Sequence, residues 1–72
     1  MNKIEYAWVI QRDDGKYFSR IEIPNICVFD DLITNADRYD YEKTVKYLIE
    51  ALRLQNCKPV KVEIRVVGED DE

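Results

Sequence analysis

The pair Asp14-Gly15, set between two runs of alternating residues, constrains this chain more than any other feature. In residues 4–11, Ile4, Tyr6, Trp8 and Ile10 fall on one face and Glu5, Ala7, Val9 and Gln11 on the other, the period of two that marks a strand. Asp-Gly tolerates the positive φ angles of a tight type I′ turn, so residues 16–23 read as the returning strand of a hairpin. With Asp14-Gly15 as a two-residue loop, Trp8 faces Ile21, Tyr6 faces Ile23 and Arg12 faces Tyr17, while Val9 faces Arg20 and Ala7 faces Glu22. That register gathers the large apolar residues on one side and leaves Val9 and Phe18 on the other.

Pro24-Asn25 interrupts the second strand, because proline lacks a backbone donor and asparagine suits a turn. Residues 26–29 can resume as a short edge segment, residues 30–33 can form a single helical turn, and residues 36–39 a short strand or extended lead-in. Asp40 is placed to cap a helix, and Tyr41, Val45, Leu48 and Leu52 then recur at spacings of four, three and four, with Ile49 widening the stripe. This predicts an amphipathic helix over residues 41–54. Glu42 with Lys46 and Lys46 with Glu50 are four apart on its outer side. Asn56 suits the left-handed residue that ends a helix, and Pro59 prevents continuation. Val60, Val62, Ile64 and Val66 alternate with Lys61, Glu63, Arg65 and Val67, predicting a last strand beside the first and antiparallel to it. The expected class is α+β: a small, mainly antiparallel sheet of three to four strands, made of the N-terminal hairpin and the C-terminal strand, with one amphipathic helix on one face.

At 72 residues one domain is the upper limit, and residues 1–67 are assigned to it. The net charge of −4 is not spread evenly. Residues 1–29 carry four bases and four acids, residues 30–42 five acids and one base, and residues 43–67 six bases and two acids. The first segment is neutral and the next two cancel, so the excess belongs to residues 68–72, an acidic tail expected to be disordered. Acids near a helix start and bases along its later turns also complement the helix dipole. A balanced body gives no general attraction to nucleic acid or anionic lipid. No apolar run approaches the ~18 to 20 residues of a membrane helix, and the opening Met1-Asn2-Lys3-Ile4-Glu5 lacks the apolar block of a secretory signal, so a soluble cytoplasmic protein is expected.

The tract from Tyr6 to Ile10 followed by Asp14-Gly15-Lys16-Tyr17-Phe18, then Phe29-Asp30-Asp31-Leu32, Ala36-Asp37-Arg38-Tyr39, an amphipathic helix and the strand 60–67 resembles small proteins encoded by bacteriophages and prophages of Gram-positive bacteria. The resemblance covers most of the chain. It implies a compact α+β fold and a phage or prophage setting, and it brings no set of functional residues with it.

Histidine is absent, which removes the commonest neutral-pH base and the commonest metal ligand. Cys27 and Cys57 are far from a C-x-x-C spacing and read as two reduced thiols. Asp30, Asp31, Asp37 and Asp40 lack the glycine-containing loop of a calcium site and read as turn and cap carboxylates. With only Gly15 and Gly68, no phosphate-cradling loop is available. The sequence therefore predicts no enzyme, no cofactor and no metal. It offers instead a surface: Val9, Phe18, Arg20, Lys61, Arg65 and Val67 on the outer sheet face, mixing aromatic, β-branched and basic residues. The expected occupant is a host or phage protein, or a second copy of the chain. One alternative is a counter-defence inhibitor presenting the carboxylates of residues 30–42 and the tail to a nucleic-acid-binding host protein. Another is nucleic-acid binding through Arg20, Lys61, Arg65 and Phe18, with Phe18 stacking on a base.

Overall fold

The computed structural model describes residues 2–67. Its strands are β1 (Asn2–Arg12), β2 (Tyr17–Glu22), β3 (Ile26–Asp30) and β4 (Cys57–Val67), and its one α-helix is α1 (Glu42–Ala51). A single 3-10 turn, Ile33–Asn35, lies between β3 and α1. The strands form one sheet in the order β3-β2-β1-β4 with every pairing antiparallel, the α+β fold the patterning predicts. The expectation for the acidic tail falls outside the described residues.

The hairpin turn differs from expectation by one residue. Arg12 and Lys16 bracket a three-residue loop, Asp13-Asp14-Gly15, in which the Arg12 N–H donates to the Lys16 carbonyl at 2.8 Å and the Gly15 N–H to the Arg12 carbonyl at 2.9 Å. Gly15 alone in the loop takes a positive φ, +88°, so this is a right-handed turn closed by a left-handed glycine. Asp14 supplies the reason. Its carboxylate accepts from the Lys16 N–H at 3.1 Å and from the Arg12 guanidinium at 2.8 Å, bonds that a type I′ geometry with Asp14 at positive φ is not needed to make. The register becomes Gln11 opposite Tyr17, and this one-residue slip moves Tyr17 and Phe18 to the other face.

These same bonds pull the Asp14 carboxyl down to about 2, the Arg12 guanidinium contributing most and the Lys16 N–H next. Because the folded value lies below the ordinary 3.8, whatever the turn gains from this carboxylate is complete above about pH 4 and is lost as the pH falls through about 2. A carboxyl-carbon NMR titration should place the Asp14 midpoint near about 2, and Arg12→Met should return it toward 3.8. A midpoint unmoved by Arg12→Met would remove the guanidinium from the turn.

Beyond the turn the hairpin opens into a fork. β2 carries a bulge between Phe18 and Arg20, and β1 turns to a different neighbour: Trp8 exchanges both backbone hydrogen bonds with Tyr39, at 2.8 and 2.9 Å. The Asp37 N–H donates to the Phe18 carbonyl at 3.0 Å, so residues 36–39 fill the gap between β1 and β2. Trp8 therefore does not face Ile21, nor Tyr6 Ile23.

α1 is shorter than expected at both ends. Its N-cap is Tyr41, extended and without a side-chain cap bond, in place of Asp40. At the other end Arg53 enters the left-handed region at φ 55°, with the Leu54 N–H reaching back to the Ile49 carbonyl at 2.9 Å. Asn56 is also left-handed, at φ 59°, and its carbonyl accepts from the Asp13 N–H at 2.9 Å, tying the entry of β4 to the hairpin loop.

The core under α1 is Ile10, Phe18 and Val45, with Trp8, Cys27, Phe29, Tyr39, Leu48, Ile49, Leu52, Leu54 and Cys57 packed around it. Phe18 meets Phe29 edge to face at 5.9 Å between ring centres. In the pairing of β1 with β4, Ile10 lies opposite Pro59 and Trp8 opposite Lys61, whereas Val9 lies opposite Val60 and Ala7 opposite Val62. Directly opposed residues share a face, so Val60 and Val62 of β4 lie on the side away from α1. There the segment 33–38 covers them in part, with Ala36, Ala7 and Val9 buried. The sheet is thus lined on both faces. The β1–β4 ribbon pairs eleven residues, about 36 Å of strand, against about 15 Å for a ten-residue helix. Its end distant from the hairpin loop extends past the helix and leaves Ile4 and Tyr6 exposed.

Candidate interaction surfaces

The six residues expected to form one docking face do not come together. Val9 is 1% exposed on the face away from α1, and Phe18 is 3% exposed beneath α1. The physical reason for Phe18 is the three-residue loop, which shifts β2 by one and turns its ring inward; for Val9 it is the cover supplied by residues 33–38. Arg20 is exposed and paired with Glu22 at 2.6 Å, and the bulge before it sets it opposite Val28. Lys61 and Arg65 lie opposite Trp8 and Ile4, on the α1 face and not on that of Val9. The Lys61 ammonium sits 4.7 Å from the centre of the Tyr6 ring, and Arg65 lies 3.9 Å from Glu63. The backbone of Val67 pairs with Asn2 at the far end of the ribbon. With Phe18 in the core, it has no free ring face to offer a nucleic-acid base.

Three other surfaces take their place. The first is the tip of the β2–β3 hairpin, where Ile21 is 48%, Ile23 95% and Ile26 57% exposed around Pro24. Isoleucine at 95% exposure gains nothing from the fold, so three of them at one tip are unlike the scattered apolar residues any surface carries. The prolyl interruption is legible in the sequence, but pairing Ile21 with Trp8 and Ile23 with Tyr6 does not show this cluster. The second is the bare end of the ribbon, where Ile4 and Tyr6 stand beside Lys61, Glu63 and Arg65. The third is a shallow hollow of about 260 Å³ on the face away from α1, bordered by Val9, Ile33, Arg38, Val62 and Ile64.

The titratable groups have local structural work. Asp30 accepts from the Leu32 N–H at 2.8 Å and from the Asn35 amide at 3.2 Å, holding the 3-10 turn. Asp31 lies 3.9 Å from Lys16. The Tyr39 hydroxyl donates to Asp37 at 2.6 Å, and burial followed by that bond raises its phenol well above the usual range. Burial is also the main cause that raises the Cys57 thiol, which makes it a poor nucleophile at neutral pH. Both cysteines are free. Among the described residues no cluster of three or more acidic or cysteine side chains could hold a metal ion, and no helix is long and apolar enough to cross a membrane. The carboxylates of residues 30–42 are therefore distributed among turn, bridge and helix start.

No protein family, curated protein or solved structure matches this chain.

Proposed function

We propose that this chain is a non-enzymatic interaction protein of the phage or prophage kind, acting in the cytoplasm by docking onto a host or phage protein or onto a second copy of itself. The observation that supports this reading is the isoleucine tip, with Ile23 at 95% and Ile26 at 57% exposure. Burying one such side chain in a partner contributes roughly 1.5–3 kcal/mol, and a central apolar anchor of this kind is what specific interfaces are built around. The nearby Arg20–Glu22 pair supplies a polar rim to that anchor.

The test compares the wild-type chain with the double variant Ile23→Asp, Ile26→Asp as immobilised bait for proteins of a Gram-positive host and of its phages. Both side chains are exposed, so circular dichroism and urea midpoint should be unchanged. A protein retained by the wild type should be lost with the variant. If the wild type retains none and is also monomeric by light scattering, the interaction reading fails.

A further inference from the structure

Among the described residues the longest uncovered hydrogen-bonding edge is the outer edge of β4. Which of its residues point outward follows from β1. Trp8 bonds to Tyr39, away from β4, and along an antiparallel strand successive residues bond to opposite sides. Its partner Lys61 is therefore in a pair without hydrogen bonds to β1, and the N–H and C=O groups of Lys61, Glu63 and Arg65 face out. No backbone hydrogen bond among the described residues reaches them. Pro59 occupies the same outward phase, the position at which a strand can take proline without losing a bond to its neighbour. The other edge, β3, has five residues against eleven and follows a bulged strand.

We infer that two copies of this chain pair through β4, antiparallel about a two-fold axis at Val62, to make one continuous eight-stranded sheet. This deepens the interaction reading above and rests on it. Val62 is the centre of Cys57–Val67, so this register alone pairs the whole strand with its copy. It is also the register in which the charges match. Lys61 comes opposite Glu63 of the second copy, and Glu63 opposite its Lys61, both at outward hydrogen-bonding positions. On the other face Val60 meets Ile64 and Val62 meets itself. An edge guarded by lysines alone repels its own copy, whereas Lys61 and Glu63 complement each other once inverted about Val62; Arg65 comes opposite Pro59, where its N–H can donate to the proline carbonyl but no N–H returns. The antiparallel arrangement also sets the helix-covered half of one ribbon beside the bare half of the other. That places α1 of each copy next to the stretch that overshoots its partner's helix.

Light scattering should return twice 8.6 kDa for the wild type. Glu63→Pro removes an outward N–H and no bond to β1, and should return 8.6 kDa with the wild-type circular dichroism. Charge reversals provide a second line that does not depend on proline. Lys61→Glu alone and Glu63→Lys alone should each weaken association by about tenfold, because two symmetry-related pairs turn from attraction to repulsion. Mixing the two variants should restore it, since each reversed residue then meets its complement. A wild type that stays monomeric up to about 1 mM, the weak end of specific association, overturns the pairing, as do single reversals that associate like the wild type. A monomer that still retains a protein through the isoleucine tip would overturn this inference while leaving the interaction reading in place.

Discussion

Phe18→Ala should remove about 3–5 kcal/mol of stability, from about a quarter to all that a chain of this size has. A chain of 72 residues has a stability of about 4–11 kcal/mol, at ~0.05–0.15 kcal/mol per residue. Removing a buried phenylalanine ring costs about 3–5 kcal/mol, a loss that includes the edge-to-face contact with Phe29. The loss is a large share of the reserve because this core is small, with Ile10 and Val45 the other members of its buried centre. Urea denaturation followed by circular dichroism checks it, with the midpoint falling by several molar at a slope of about 1 kcal/mol per molar. A midpoint within error of the wild type would put the ring on the solvent side, where the two-residue loop would have placed it.

Val9→Lys is expected to be of comparable severity for a different reason. Val9 is 1% exposed beneath residues 33–38, and Arg38 borders the same hollow. A lysine there must either bury an ammonium without a partner or displace the covering segment, and an uncompensated buried charge costs about 3–5 kcal/mol. The nearby guanidinium adds repulsion. The readout is again the urea midpoint, with Val9→Ile as a control that tests volume without charge. If Val9→Lys is tolerated while Val9→Ile is not, cover by residues 33–38 is too loose to count as core.

These two positions show where sequence reasoning succeeded and where it stopped. The strands, the helix stripe from Val45 to Leu52 and the pairing of the last strand with the first were legible because each is written in local periodicity. The face of Phe18 was not. It depends on whether the hairpin loop has two residues or three, and Asp14-Gly15 is compatible with both; the difference lies in where the Asp14 carboxylate finds its partners, Lys16 N–H and Arg12. Val9 was hidden by a separate matter. Residues 33–38 have no periodicity that announces a cover, and the bonds that place them, Asp37 to Phe18 and Tyr39 to Trp8, join parts of the chain far apart in sequence.

The fork between β1 and β2 has a consequence for the order in which the chain can assemble. β1 is made before β2, β3 and β4, yet away from the hairpin loop its neighbours are Tyr39 and β4, both made much later. Helical and hairpin contacts close early, but the central strand must wait for distant segments, and such non-local pairing is slow. Until β4 emerges, the apolar run of β1 has one side without a partner and is open to association with other chains. The half-made sheet is the one with an open apolar strand, and it closes only after residues 57–67 have been made.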